Sequence, residues 1–398
     1  MMDSPPSLSN RALQLPLSGI RVLDCSRVLA GPFAAMLLGD LGADVIKVEP
    51  PGGDDTRRWG PPFWGSPEDG LSAYFTSVNR NKRSIVVDLK TDAGRAVLNE
   101  LATTSELLIH NFRPATAERL GLSAAQLASR HPHLVVAVIG GYAGDDPELA
   151  NRPAYDLLAQ AISGLMSITG EAGGGPMKVG VAVLDLVAGL EAAVAALAAL
   201  LGRDRSPVRR VDVSLVEAGL TSLINVLGNY LVSGEEPKRY GSGHPNIAPY
   251  QAFVAADGHA VIAVGNDAQF ARLLGVLGLA DEEGRFVTNA DRVERRDELV
   301  RWLSAAIAER QREELIDALQ RVDVPAGPVL AVSEAVQAVV DAHAGGWIAR
   351  AGAMSLAPSP LRLEGDRAAI RRPPPTLGQH TKEVLAELRA SGERGRTR

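Results

Sequence analysis

The stretch VAVLDLVAGL, residues 181–190, sets a single carboxylate, Asp185, among apolar neighbours. From Val179 to Leu201 the only other charge is Glu191. A carboxylate loses its hydration when buried, so an unpaired one is costly. Asp185 therefore needs an occupation. One is structural: an N-cap whose carboxylate accepts backbone N–H bonds from the helix that follows. Another is chemical. The start of a helix favours negative charge and would keep the carboxylate ionised. With an ordinary pKa of about 3.9, an aspartate at neutral pH is a nucleophile that needs no general base. It could attack an activated acyl group such as a thioester and could hardly cleave an amide unaided. The two occupations are compatible.

Other chemistries lack their signals. There is no G-x-S-x-G, so a nucleophile-elbow hydrolase is unsupported. There is no H-E-x-x-H, and His131 and His133, with a proline between them, read as loop residues and not as metal ligands. No metal site is expected. The G-x-G-x-x-G of nicotinamide-binding folds and the G-x-x-x-x-G-K-[ST] of P-loops are both missing. NRNKRS (79–84) reads either as a solvated basic loop or as an anion site. The glycines at 173–175 read as a turn.

The elements that must position Asp185 alternate. IRVLDC (20–25) reads as a buried strand, AGPFAAMLLGDL as a helix with Pro32 in its first turn, and DVIKVE (44–49) as a second strand. Strands at SIVVDL (84–89), LLIHNF (107–112) and HLVVAVIG (133–140) follow, with helices between. The pattern predicts an α/β fold with a doubly wound parallel sheet. A strand is expected from Val179 to Asp185, then an Ala/Leu helix to about Leu201. VDVSL (211–215) reads as a strand and 216–232 as one helix. After Pro249 the character changes: QAFVAADGHAVIAV is a hairpin about Asp257-Gly258, and helices follow. The expected organisation is a large domain from 17–205 and 331–390, a linker over 206–245, and a small α+β domain over 246–330.

The chain has 398 residues, 46% hydrophobic and 22% charged, with a net charge of −6. That balance suits a soluble protein and argues against a nucleic-acid binder or a partner of anionic membranes. Cys25 is the only cysteine, which leaves no disulfide framework. The first eighteen residues carry no apolar signal-peptide core, and a cytoplasmic setting is expected.

Several stretches, in order, resemble one family. LSGIRVLDCSRVLAGPFAAMLLGDLGADVIKVEPPGGDDTR, YFTSVNRNKRSIVVDLK, NFRPATAERLGL, RPAYDLLAQAISGLMSITG, VGVAVLDLVAGL, VDVSLVEA, DVPAGPV and PPTLGQHT are similar to the motifs of family III CoA-transferases, the formyl-CoA transferase group. The resemblance runs from about Leu17 to Leu388. NYLVSGEEPKRYGSGHPNIAPYQAF and DDTRRWGPPFWG look nearest to the succinyl-CoA:glutarate branch.

The resemblance implies a Rossmann-like CoA-binding domain built from both ends of the chain, a smaller domain between them, and an interlocked homodimer. It implies no permanently bound cofactor; coenzyme A and its acyl esters are substrates, with small carboxylic acids as partners in the exchange. It places the catalytic aspartate at Asp185, with CoA contacts at Leu29, Ala30, Lys90, Asn111, Phe112, Arg113, Arg119, Tyr155 and Asp156. Arg119 is the expected pyrophosphate contact and Tyr155–Asp156 the pantetheine end. Arg57, Arg58, Arg80, Lys82 and His244 are candidates for the far carboxylate of a dicarboxylic acceptor. Three departures stand out. Pro50 replaces a family arginine after IKVE, GGYAGDDP (140–147) replaces a glycine-rich loop, and Leu29 replaces the glutamine of formyl-CoA transferases. The rival within the family is an α-methylacyl-CoA racemase. Its catalytic histidine falls on Tyr155 here, and a phenol of pKa about 10 is a poor base.

Overall fold

The computed structural model of the chain describes residues 15–66, 70–142, 146–205, 208–343 and 347–396. They fall into two compact units. The first comprises the described residues of 15–163, 181–222 and 347–396; the second comprises those of 164–180 and 223–343.

Six strands form the sheet of the first unit: β1 (Arg21–Asp24), β2 (Asp44–Glu49), β3 (Lys82–Val86), β4 (Leu107–His110), β5 (Val135–Gly140) and β6 (Arg210–Ser214). They lie in the order β3-β2-β1-β4-β5-β6, every pair parallel. The order reverses between β1 and β4. There the loops leaving neighbouring strands diverge and open a crevice at the carboxyl ends.

Helices cover both faces, and β4 and β5 read as apolar runs instead of alternating ones. On one face Leu23, Ile46, Ile85, Leu108 and Val136 share a core with Leu98 and Leu101 of α3 (Asp92–Thr103). Leu120 of α4 (Pro114–Leu120), Leu127 of α5 (Ala124–Arg130) and Val384 of the helix Thr381–Arg396 complete it. On the other face lie α1 (Ala30–Asp40) and α7 (Val183–Leu201). Helix α7 is long and apolar enough to cross a membrane, yet Leu184, Ala188, Ala192 and Ala196 are buried in the core. Gly189 lets the two helices touch: a Cβ there would lie 2.6 Å from the Ala30 carbonyl oxygen.

Several expectations need correction. No strand precedes Asp185; residues 176–182 are irregular and the helix begins at Val183. The expected linker contains β6, which pairs with β5 as the sixth strand, and α8 (Leu215–Thr221). The helix expected over 216–232 is two, the second at Asn225–Ser233, because Ile224 adopts a left-handed φ of 45° between them.

The second unit holds the hairpin Tyr250–Ala255/Gly258–Ala263, with Ala326–Pro328 as a third antiparallel strand. Helices Asp267–Leu277, Arg296–Ile307 and Arg312–Gln320 close over it around Phe253, Ile262, Phe270, Phe286 and Leu303. It is larger than the 246–330 expected, since 164–180, 223–245 and 331–343 belong to it.

Candidate active site

Helix α7 begins without a cap of its own. Ala182 occupies the N-cap position and offers no side-chain oxygen. The cap comes from elsewhere: Asp156, first residue of α6 (Asp156–Ile162), accepts the N–H of Leu184 at 2.8 Å and of Asp185 at 3.4 Å. The second oxygen of Asp156 accepts from Gln160 at 2.6 Å. Asp185 is therefore not the N-cap. It sits in the first turn, 9% exposed, and no described residue donates a hydrogen bond to its carboxylate.

The electrostatic consequence reverses the expectation of a readily ionised group. Burial, then the like charge of Asp156, pushes Asp185 up to about 7. The helix start cannot offset this, because its nearest N–H groups are already given to Asp156. Tyr74, in α2 (Ala73–Ser77), faces the same cluster. Burial and then the charges of Asp185 and Asp156 push its phenol up to about 12. Tyr74 packs edge-on against Trp59, with ring centres 5.1 Å apart. Sequence reading passed it over, since nothing local distinguishes it from a core aromatic.

Beside this carboxylate lies the loop from β1 to α1. Leu29 forms a small buried cluster with Met36 and Val78, and Tyr74, Phe33 and Ala182 pack against that cluster. Ala30 opens α1, and its carbonyl meets α7 at Gly189, one turn beyond Asp185. Asn111, just after β4, ties this loop across the switch point: it accepts the N–H of Arg27 at 2.9 Å and donates to the Arg27 carbonyl at 2.7 Å. Phe112 carries the Arg27 guanidinium 5.5 Å above its ring. So Leu29, Ala30, Asn111, Phe112 and Asp185 gather around the carboxyl ends of β1 and β4 and the start of α7. Arg113, exposed, is the N-cap residue of α4 and donates to the Asn151 carbonyl at 3.2 Å. Arg119 is exposed in the last turn of α4, and Lys90 is exposed in the turn before α3. The two turns are neighbours through Arg95, which donates to the Lys90 carbonyl at 3.0 Å and whose Cδ lies 3.7 Å from where a Gly121 Cβ would stand.

Tyr155 is 64% exposed at the N-cap of α6. Asp156, expected to line the pantetheine end, is instead buried and committed to the α7 backbone.

The basic segment 79–84 is neither a solvated loop nor a free anion site. Arg80 is paired with Asp40, Lys82 with Asp24 at 2.8 Å, and Arg83 with Asp44, Glu383 and Glu387, all three cations buried. Arg57 grips Glu49 through two nitrogens, at 2.7 and 2.6 Å, over the Phe75 ring. These pairings remove Arg57, Arg80 and Lys82 as cations for a substrate carboxylate. Arg58 is exposed and paired with Asp55, and His244, in the second unit, lies against Tyr250. His131 and His133 hydrogen-bond Asn99 and the Ala102 carbonyl. In GGYAGDDP, residues 143–145 lie outside the described residues; Asp146 caps the short helix Pro147–Ala150.

A buried carboxylate poised near neutrality, at a helix start and beside a strand-end crevice, is suited to nucleophilic acyl chemistry. Comparison with known proteins gives the family. The profile of CoA-transferase family III matches residues 17–381. A succinate–glutarate CoA-transferase of Agrobacterium fabrum is 43% identical over 391 residues, covering 94% of this chain and 96% of that protein. The succinyl-CoA:glutarate CoA-transferase of Mus musculus is 40% identical over 381 residues, covering 94% and 86%. The crystal structure of a CAIB/BAIF family protein from Brucella suis superimposes with a TM-score of 0.81 at 37% identity, over 94% of this chain and all of that one. The chain belongs to CoA-transferase family III.

Proposed function

We propose that the chain moves CoA from succinyl-CoA to a dicarboxylate of four to six carbons, glutarate first among them, with Asp185 as the nucleophile. The observation that carries this is the Asp185 carboxylate itself: buried, without a hydrogen-bond donor among the described residues, and pushed up to about 7. Raised basicity makes a carboxylate a better nucleophile while leaving about half of it ionised at pH 7.

An Asp185 oxygen attacks the thioester carbonyl and expels CoA thiolate, leaving an aspartyl–succinyl anhydride. The thiolate attacks the aspartyl carbonyl of that anhydride; succinate departs and an aspartyl–CoA thioester remains. Glutarate attacks this thioester, giving an aspartyl–glutaryl anhydride and thiolate once more. Thiolate attack on the glutaryl carbonyl releases glutaryl-CoA and restores Asp185. One thioester is exchanged for another, so no other energy source is needed. Each tetrahedral intermediate needs donors aimed at its oxyanion. The N–H groups of Ala30 and Gly31, in the first turn of α1, have no intrahelical partner. The Tyr74 hydroxyl keeps its proton at any working pH.

On this reading Leu29 and Ala30 meet the thioester end of CoA and Asn111 and Phe112 its base, which their gathering at the carboxyl ends of β1 and β4 supports. Lys90, Arg113 and Arg119 supply exposed cations for its phosphates. The acyl pair rests on the two relatives named for succinyl and glutaryl transfer. A homodimer is supported by exposed apolar residues on α7, Leu190, Val194 and Leu201. The helix Asn225–Ser233 adds support, since it buries none of its residues. A cytoplasmic setting belongs to the same proposal.

The test is succinyl-CoA and glutarate with pure protein in heavy water, read by mass spectrometry of the CoA esters. Glutaryl-CoA without α-deuterium is expected. Deuterium entering a branched acyl-CoA, with no new ester formed, would replace transfer by α-proton exchange.

A further inference from the structure

The loop between β1 and α1 is held in an unusual way. Val28 has a φ of 69°, the left-handed region, where a β-branched residue is strained. Leu29, next to it, has φ −133° and ψ −61°. Side chains from other parts of the fold engage the backbone polar groups leading into this turn. The Ser26 N–H donates to Asp24 at 3.1 Å, and Lys47 donates to the Ser26 carbonyl at 3.1 Å. Asn111 takes both polar groups of Arg27. The Val28 N–H reaches Asp54, at 3.3 and 3.4 Å to its two oxygens.

Asp54 is itself fixed. Lys47 pairs with it at 3.0 Å, both side chains essentially inaccessible. Thr56 donates its N–H and hydroxyl, at 3.0 and 2.8 Å, and the Asp54 N–H is bound by Glu49 at 3.0 Å. Asp54 is thus a rigid acceptor aimed at the one strained residue of the loop. Directly after that residue come Leu29, whose apolar cluster with Met36 and Val78 packs against Tyr74 and Ala182, and Ala30, which touches α7 a turn from Asp185.

We infer that Asp54 is a positioning residue: by holding the Val28 N–H it keeps Val28 in the left-handed conformation, which sets Leu29 and the free N–H groups of α1 against the Asp185 carboxylate. The inference rests on the reading of Asp185 as nucleophile. Asp54 touches no reacting atom. Its role is to place the loop that does.

The test is a rescue. In Asp54→Asn, kcat for CoA transfer should fall about 10- to 100-fold, the cost of a misplaced reacting group, with KM for succinyl-CoA within about threefold. Glycine enters the left-handed region without strain, so Val28→Gly alone should keep kcat within about threefold of wild type. Added to Asp54→Asn, it should return kcat to within about fivefold of Val28→Gly, although the stability lost around Lys47 stays lost. A merely structural Asp54 gives no such recovery, and a double variant as slow as Asp54→Asn overturns the inference. Val28→Pro tests the same geometry with the buried pair intact, because proline can neither reach this φ nor donate. It should lose kcat as Asp54→Asn does, and wild-type turnover in Val28→Pro overturns the inference even if Asp54→Asn fails to fold. Hydrogen exchange at the Val28 amide separates this inference from the functional reading. If wild type makes no glutaryl-CoA, the functional reading fails. The Asp54–Val28 coupling is then judged by whether Asp54→Asn speeds that exchange; unchanged exchange overturns it.

Discussion

Replacing Asp185 by asparagine should inactivate the protein and stabilise it, with a gain that grows from about pH 4 to pH 7 and is constant above it. In the unfolded chain the carboxyl ionises near its ordinary 3.8; in the folded chain burial and Asp156 delay ionisation to about 7. At about 1.4 kcal/mol per pH unit of that gap, the folded state bears a penalty of about 4 kcal/mol once the group is charged. The sign follows from proton counting. Between pH 4 and 7 the folded state holds a proton that the unfolded chain has released. Rising pH therefore favours unfolding across that window, and the penalty is constant above it. Asparagine keeps the shape and never charges. The Asp185→Asn variant should match wild type near pH 4 and draw ahead as pH rises, exceeding it by roughly 2–4 kcal/mol at pH 8. Urea unfolding followed by tryptophan fluorescence at pH 5, 6, 7 and 8 reads the difference. Equal stabilities at pH 8, or a gap that is widest at acid pH, would refute the electrostatics assigned to this site.

Four further outcomes follow from the same geometry. On the proposal that Asp185 attacks as its carboxylate, kcat/KM for succinyl-CoA should rise about tenfold from pH 6 to pH 8, along a limb centred near 7. In Asp156→Asn that limb should move to lower pH while remaining above 4, since burial, the larger cause, persists; a limb that stays put contradicts the pairing of the two carboxylates. Asn111→Ala removes both ties to Arg27 and should raise KM for acyl-CoA about tenfold with a smaller loss in kcat, as steady-state kinetics will show. Gly189→Ala drives a methyl group onto the Ala30 carbonyl, 2.6 Å away; separation of α1 from α7 should cost about 1–3 kcal/mol in denaturant unfolding and lower kcat.

Much of the sheet is legible from local pattern. DVIKVE is a strand over the residues expected, 44–49, and the hairpin about Asp257-Gly258 forms as its turn residues require. Failures occur where partners are distant in sequence. The β-branched run before Asp185 reads as a strand, but Asp156, 28 residues before Leu184, supplies the N–H acceptor that starts a helix instead. The apolar pattern runs unbroken through Ile224, so nothing local announces the break there. NRNKRS looks solvated because each of its acidic partners, Asp24, Asp40, Asp44, Glu383 and Glu387, lies on another element. One signal was available. Asp24 and Lys47 each follow apolar residues within a strand, and a charge in a buried strand needs an opposite charge nearby. The structure pairs both, Asp24 with Lys82 and Lys47 with Asp54, beneath the loop that leads into α1.

The direct measurement is intact mass and peptide mapping after mixing the protein with succinyl-CoA alone. The account predicts a mass gain of one CoA less one water, located on the peptide holding Asp185, discharged by glutarate as glutaryl-CoA, and absent from Asp185→Asn. Glutaryl-CoA production that continues in Asp185→Asn, or turnover by wild type with no adduct on that peptide, would contradict it.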